Sequence, residues 1–288
     1  MKLEDLGYED WHTHSQICRH AVGTIPDYVQ KAIELNLSTI GVCDHFPYEF
    51  LKDIDRIPYT NYAMTLDEIQ KYLKIVESLK EKYNGEINVR LAFEVDFFEN
   101  QVSSLNIHLN KIINHLDYIL GSIHILNFKD GRGAWGFDDS IFREDYAYYG
   151  SDNVYMEYYQ TQQKMINCEE FKLDILAHFD LPKKFNDIPN NKEKIFNEAL
   201  KTLELIKKRD LVMEINTGGL RKDVKEQYPS RTLIEKMYEL DIPILLGSDA
   251  HSPNEIAWEF KSIINMVKKI GYTYLSHFSN RKIDFIEI

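Results

Sequence analysis

Short apolar runs alternate with longer amphipathic stretches along this 288-residue chain. The runs Leu37–Val42, Ile87–Phe93, Leu116–Gly121, Leu173–Ala177, Leu211–Ile215 and Ile242–Gly247 have the length and composition of buried strands. A first strand near Tyr8–Trp11 brings the candidates to seven. Helical periodicity marks Asp27–Asn36, Val102–Asn114, Asn153–Asn167, Asn191–Lys208, Ser230–Leu240 and Pro253–Ile270. A further helix runs from Thr65 toward Tyr83, where Thr65 and Glu68 have the spacing of a capping box. Asp27, beside Pro26, is the expected N-cap of the first helix. Strand–helix alternation of this kind predicts an α/β fold with a parallel sheet.

No linker, low-complexity tract or internal repeat divides the sequence, so residues 1–288 are expected to form one domain. Two excursions, Phe46–Met64 and Asn127–Asp152, interrupt the rhythm. Both are rich in aromatic and charged residues and both follow a histidine motif. They are candidate walls of a pocket, because loops after strand ends are where barrels place their sites.

Composition narrows the function. Hydrophobic residues make up 44% and charged residues 28%, as in ordinary globular proteins. A net charge of -12 argues against a nucleic-acid partner. No apolar run approaches the ~20 residues that span a bilayer. Met1–Asp5 lacks the apolar core of a signal peptide, and three widely spaced cysteines make a disulfide framework unexpected. A cytoplasmic enzyme without a membrane partner is the expectation.

Seven of the ten histidines lie in motifs that end predicted strands: D-W-H-T-H-S with His12, His14 and the nearby His20, then C-D-H (His45), G-S-I-H (His124), A-H-F-D (His178) and G-S-D-A-H (His251). Taken singly, each reads as an ordinary core or surface histidine. Seven at strand ends read as one metal centre, since neutral imidazole is a common ligand of divalent transition metals. His12 and His14 are two residues apart, so an extended backbone points both to one face, and Asp249 and His251 repeat that spacing. Glu94 ends the apolar run L-A-F-E-V-D and is placed to bridge two cations. Seven histidines and two carboxylates suffice for two or three divalent ions, with zinc, iron, manganese and cobalt all compatible. His108, His115 and His277 are assigned surface or packing roles, and Cys18 and Cys43 packing roles.

The ordered motifs, with M-E-I-N-T-G-G-L-R-K and Y-P-S at Tyr228–Ser230, resemble the PHP (polymerase and histidinol phosphatase) superfamily, closest to its monofunctional histidinol-phosphate phosphatases. The resemblance runs nearly end to end. It implies a distorted seven-stranded TIM-like barrel with three metals at the C-terminal strand ends. By position, His12, His14, Glu94 and Asp249 would hold the first metal; Glu94, His124 and His178 the second; His20, His45 and His251 the third. The Q-I-C-R-H stretch before His20 departs from the proline and glycine frequent there in relatives.

The implied reaction is hydrolysis of a small phosphate ester, L-histidinol phosphate to L-histidinol and phosphate, with a hydroxide bridging two metals as the attacking group. Three divalent ions against two ligand carboxylates leave a positive site for a phosphate dianion. Asp44 and Asp180, beside ligand motifs, are candidate acids for the leaving alkoxide. Arg221, after the T-G-G turn, is the first candidate phosphate clamp; Ser230, Lys183 and Arg19 are others. Asp138, Asp139, Tyr48, Phe137 and Trp135 are candidates to receive the cationic leaving group. The alternatives are a PHP phosphoesterase for a phosphotyrosine protein, nucleotide or other ester, and a non-catalytic metal-stabilised domain.

Overall fold

Strands buried on both faces carry apolar residues at every position rather than at alternate ones, and the short central runs of this chain behave so. A computed structural model describes residues 7–54 and 56–288. The Met1–Asp5 segment used above lies outside the described residues. The strands are β1 (Glu9–Asp10), β2 (Thr39–Val42), β3 (Asn88–Asp96), β4 (Tyr118–Ser122), β5 (Ile125–Leu126), β6 (Trp135–Gly136), β7 (Ile175–Leu176), β8 (Val212–Asn216), β9 (Ile244–Gly247), β10 (Tyr274–Ser279) and β11 (Lys282–Glu287). Seven form one parallel sheet in the order β1-β2-β3-β4-β7-β8-β9.

The sheet curls until its ends meet. Trp11 N–H donates to the Leu246 carbonyl at 3.0 Å and His14 N–H to that of Ala250 at 2.9 Å. A parallel bridge joins Thr13 to Ala250 just past β9. The expected seven-stranded barrel is therefore what the chain forms, with helices outside it.

Most helices fall near their expected positions: Ile69–Lys82, Val102–Leu109, Ser151–Asn167, Lys192–Lys208 and Arg231–Glu239. Thr65 and Glu68 do form the capping box, which opens the short turn Leu66–Glu68 before Ile69–Lys82. The first helix spans Ile25–Glu34 and is capped by Thr24, not Asp27. Asp27 instead returns its carboxylate to the Thr24 N–H at 2.6 Å, so the pair forms a capping box around Pro26. Pro253 opens only a short 3-10 turn, Pro253–Glu255, and the α-helix begins at Phe260. Ala257 and Glu259 take left-handed backbone angles, and Ala257 N–H is drawn to Asp10 Oδ2 at 2.9 Å. That tertiary hydrogen bond competes with the helix and delays it.

The β10–β11 hairpin and the helix Arg143–Tyr149 inside the second excursion are not among the expected elements. The hairpin covers the end of the barrel where strands begin. Its Phe278 packs edge-on against Trp11, and a tilted Tyr118 ring lies at 6.1 Å. The opposite end, where strands finish, is left to the histidine motifs.

Candidate metal centre

His12 and His14 leave β1 on one face, as their spacing requires. Their Nε2 atoms face each other at 2.9 Å. Asp249, held at a left-handed φ of 53° just past β9, brings Oδ1 to 3.4 Å from His14 Nε2 and 3.9 Å from His12 Nε2. Glu94, inside β3, divides its two oxygens. Oε2 lies 3.3 Å from His12, 3.3 Å from His14 and 3.2 Å from His45. Oε1 lies 2.9 Å from His178 Nε2 and 3.7 Å from His124 Nε2. One carboxylate thus spans two donor groups, as the motif order implied.

The electrostatics are those of a cation site. Burial disfavours charge on Glu94, yet His45, His12 and His124 outweigh burial and hold its carboxyl well below the usual range. Asp249 is held low against burial by His12, His14 and His251. Burial, with neighbouring imidazoles, pushes His45 and His251 down into the neutral form that ligates. Burial acts the same way on His12, but Glu214, Glu94 and Asp249 override it, so protons and cations compete for one set of nitrogens.

The residues fit divalent transition metals by their donor chemistry. Four rings have Nδ1 committed: His12 to Glu214 Oε1 at 2.7 Å, His124 to Asp96 Oδ1 at 3.0 Å, His20 to the Cys18 carbonyl at 2.8 Å and His251 to the Asp249 carbonyl at 3.0 Å. With Nδ1–H donating, each Nε2 keeps a lone pair, the arrangement by which outer carboxylates and carbonyls orient metal ligands. Donor atoms of His12, His14 and Asp249 lie within 4.8 Å of one another, as do those of Glu94, His124 and His178.

The third set is looser. The His20 ring lies 5.3 Å from that of His45 and 4.9 Å from that of His251. The nitrogens of these three do not close into one group among the described residues. The Glu94 and Asp96 carboxylates draw His45 Nδ1 toward the other two sets, at 3.2 and 3.7 Å.

Several expected partners serve elsewhere. Asp44 accepts the Ser15 N–H at 2.7 Å and the Ser15 hydroxyl at 2.9 Å, and burial pushes its carboxyl up to about 8. Asp180 accepts the Ser230 N–H at 2.9 Å and pairs with Lys183 at 3.0 Å. Neither lines the cavity above the ligands. Arg221 uses one terminal nitrogen to donate to the carbonyls of Ser248 at 2.8 Å and Asp249 at 2.9 Å and so fixes the loop that carries Asp249. Its other terminal nitrogen, Nη1, is buried without a hydrogen-bond partner among the described residues. Lys183 is tied to Asp180, Glu226 and the Gln227 carbonyl, Ser230 stands at the N-cap position of the helix Arg231–Glu239 without a side-chain capping bond, and Arg19 pairs with Glu68. Trp135 and Phe137 are buried packing residues, whereas Tyr48, Asp138 and Asp139 do line the cavity. Cys18 lies closer to the chemistry than a packing residue: its sulfur, His14 and Asp44 share one 4.8 Å group, and despite burial His14 and His20 bring the thiol down to about 6.

Four residues were missed. Glu214, fully buried in β8, holds His12 Nδ1 and also accepts the His178 N–H at 2.9 Å. Its signal was a carboxylate inside a strand whose other positions are apolar or amide. Gly247 allows it in, since a Cβ there would lie 1.9 Å from Glu214 Oε1. Asp96, two residues beyond Glu94, is buried and orients His124. Lys184 and Lys222 reach the cavity, which has a volume of ≈ 460 Å³. Tandem lysines after a histidine motif are too common to single out.

A parallel barrel with a buried histidine–carboxylate cage at its strand ends defines a metal-dependent hydrolase class, and the chain belongs to the PHP family: the PHP domain matches residues 10–218. Among named relatives, a "Probable histidinol-phosphatase" of Deinococcus radiodurans is 31% identical over 267 residues, 92% of this chain and 94% of that one. The histidinol-phosphatase of Bacillus subtilis is 24% identical over 88% of this chain and 97% of its own. A crystal structure of a candidate histidinol phosphatase from Listeria monocytogenes superposes with a TM-score of 0.81 at 27% identity, covering 88% of this chain and 99% of that one. The histidinol phosphate phosphatase of Lactococcus lactis, solved with Zn, L-histidinol and phosphate, shares the fold at a TM-score of 0.75 and 19% identity, over 96% of this chain and 98% of its own. No helix among the described residues is long and apolar enough to cross a membrane.

Proposed function

We propose that this protein is a metal-dependent histidinol-phosphatase that converts L-histidinol phosphate and water to L-histidinol and phosphate, with residues 1–288 acting as one catalytic unit. The observation that carries the reading is Glu94, whose two oxygens serve two separate imidazole groups at the floor of one cavity. Relatives matched along nearly their whole length bear the name of that activity.

His12, His14, Glu94 and Asp249 would hold one divalent ion; Glu94, His124 and His178 would hold a second; His20, His45 and His251 are the donors left for a third. Bound ions of this kind polarise a phosphoryl group and lower the pKa of water to make a nucleophile. The chain supplies the rest. Glu214 and Asp96 keep the rings in the ligating tautomer. Lys184 and Lys222 bring positive charge to the cavity, and Lys222 has no carboxylate within 4.0 Å among the described residues. These lysines replace Arg221 as the phosphate-facing cations. A cavity of this volume suits a small ester.

The test is phosphate release by protein loaded separately with zinc, manganese, iron and cobalt, on L-histidinol phosphate beside other monoesters. The highest kcat/KM should fall on L-histidinol phosphate. A preference of about tenfold or more for another ester would reassign the substrate, and bound metal without hydrolysis would make the cage structural.

A further inference from the structure

Above the ligand residues the cavity contains one ion pair that holds no element of the fold in place. Lys184 Nζ lies 2.9 Å from Asp138 Oδ2, with both side chains lining the cavity and only 22% and 18% exposed. Lys184 follows the turn Leu181–Lys183 after His178, and Asp138 belongs to the second long excursion. Neither head group has a second hydrogen-bond partner among the described residues. Their neighbours differ in this respect. Asp139 accepts the Ile141 N–H at 3.0 Å and the Tyr62 hydroxyl, so it is spent on joining the two long excursions. Lys183 has three partners and is immobilised.

We propose that Lys184 and Asp138 form an exchangeable ion pair that selects phosphate monoesters with a cationic leaving group. Lys184 turns to the phosphate, and the released Asp138 receives the ammonium of the departing alcohol. The proposal rests on the phosphatase reading above and extends it to the class of aminoalkyl phosphates. Its logic is charge conservation. A zwitterionic ester divides one ion pair into two, and no buried charge is left alone. An ester with a neutral leaving group takes Lys184 and strands Asp138 beside a phosphate dianion, which costs both a lost partner and like-charge repulsion. The pair therefore acts mainly by penalising the wrong ester, as specificity devices commonly do. Both members are ionised in the cavity: against burial, Lys184 and then His124 hold Asp138 below the usual carboxylate range, and Asp138 raises Lys184. Asp249 also acts on Lys184, which places the lysine toward the metal end.

The experiment compares O-phosphoethanolamine with ethyl phosphate, which differ by one ammonium group, on metal-loaded protein. The readout is the ratio of their kcat/KM values, which is independent of the fraction of protein folded or loaded. Where turnover is too slow, the ratio of calorimetric Kd values serves instead. Wild-type protein should favour the ammonium ester. In Asp138→Asn the ratio should fall about tenfold, a low-end figure for a lost charge partner, because the ammonium ester loses its carboxylate while ethyl phosphate no longer meets one. In Lys184→Met both esters should weaken and the ratio should not fall. No preference in the wild type, a change under about threefold in Asp138→Asn, or an equal fall of the ratio in both variants would overturn the proposal. Failure to turn over L-histidinol phosphate would overturn only the substrate reading, since the two ethyl esters still decide the role of the pair.

Discussion

At the hairpin end of the barrel, carboxylates are matched by cations. Asp174 takes Arg281 through Nε at 2.9 Å and a terminal nitrogen at 2.8 Å. Asp117 takes Lys80 at 2.5 Å and the Leu91 N–H at 2.8 Å. Glu9 is an exception there, with the His277 imidazole at 2.8 Å and the Thr39 hydroxyl at 2.8 Å. At the other end, Glu94 meets imidazoles alone and Asp249 meets imidazoles and the Asn216 amide at 3.4 Å, with no lysine or arginine within 4.0 Å of either among the described residues. Buried carboxylates are costly unless paired. The hairpin end pairs them within the chain, and that end is structural. The cage leaves its pairing to an added cation, and that deficit marks the functional end more sharply than histidine content does.

The contrast can be broken most severely at the cage. His14→Ala or Asp249→Ala should lower kcat/KM by on the order of 10³-fold, the scale for removing a central electrostatic contributor, with metal content reduced and the circular-dichroism spectrum retained. Near-normal turnover in both would make the cage incidental. Glu214→Gln probes the layer outside it. Metal affinity should fall about 10- to 100-fold while the fold survives, because the amide cannot hold His12 Nδ1–H and the His178 N–H as a carboxylate does. Competition with a chromophoric chelator measures this, and unchanged affinity would return Glu214 to a packing role.

The hairpin end should answer in stability alone. Phe278 is 4% exposed against Trp11 and Tyr118, and Phe278→Ala should cost about 3–5 kcal/mol in denaturant unfolding. Turnover per metal-loaded molecule should stay near normal at low temperature. A variant equally stable, or inactive while folded and loaded, would show that the two ends are not separable in this way.

Much of this arrangement was legible beforehand. The six apolar runs became six of the seven sheet strands, because strands covered on both faces are largely apolar, and the seventh is the acidic Glu9–Asp10 of the Tyr8–Trp11 segment. His12 with His14, and Asp249 with His251, converge because alternation is a local rule of extended chain. What stayed hidden was set by partners far along the chain. The Pro253–Ile270 reading failed because Asp10, near the N-terminus, takes the Ala257 N–H. That Arg221 also braces the Asp249 loop was hidden, because the carbonyls of Ser248 and Asp249 come within its reach only in the folded chain. The strand β11, K-I-D-F-I-E, was not among the expected elements although Ile283 and Phe285 alternate with polar residues; both are exposed, so they mark a hairpin edge and not a buried core.

By itself the sequence determined the kinds of donor and the strand ends on which they stand, since both depend on residue type and short-range periodicity. Only the closed barrel decided which oxygen of Glu94 faces which imidazoles, that Glu214 would reach His12 across 202 residues, and that Lys184 rather than Arg221 would face the cavity. Those choices depend on how distant strands register when the ring closes, and no local pattern encodes that distance.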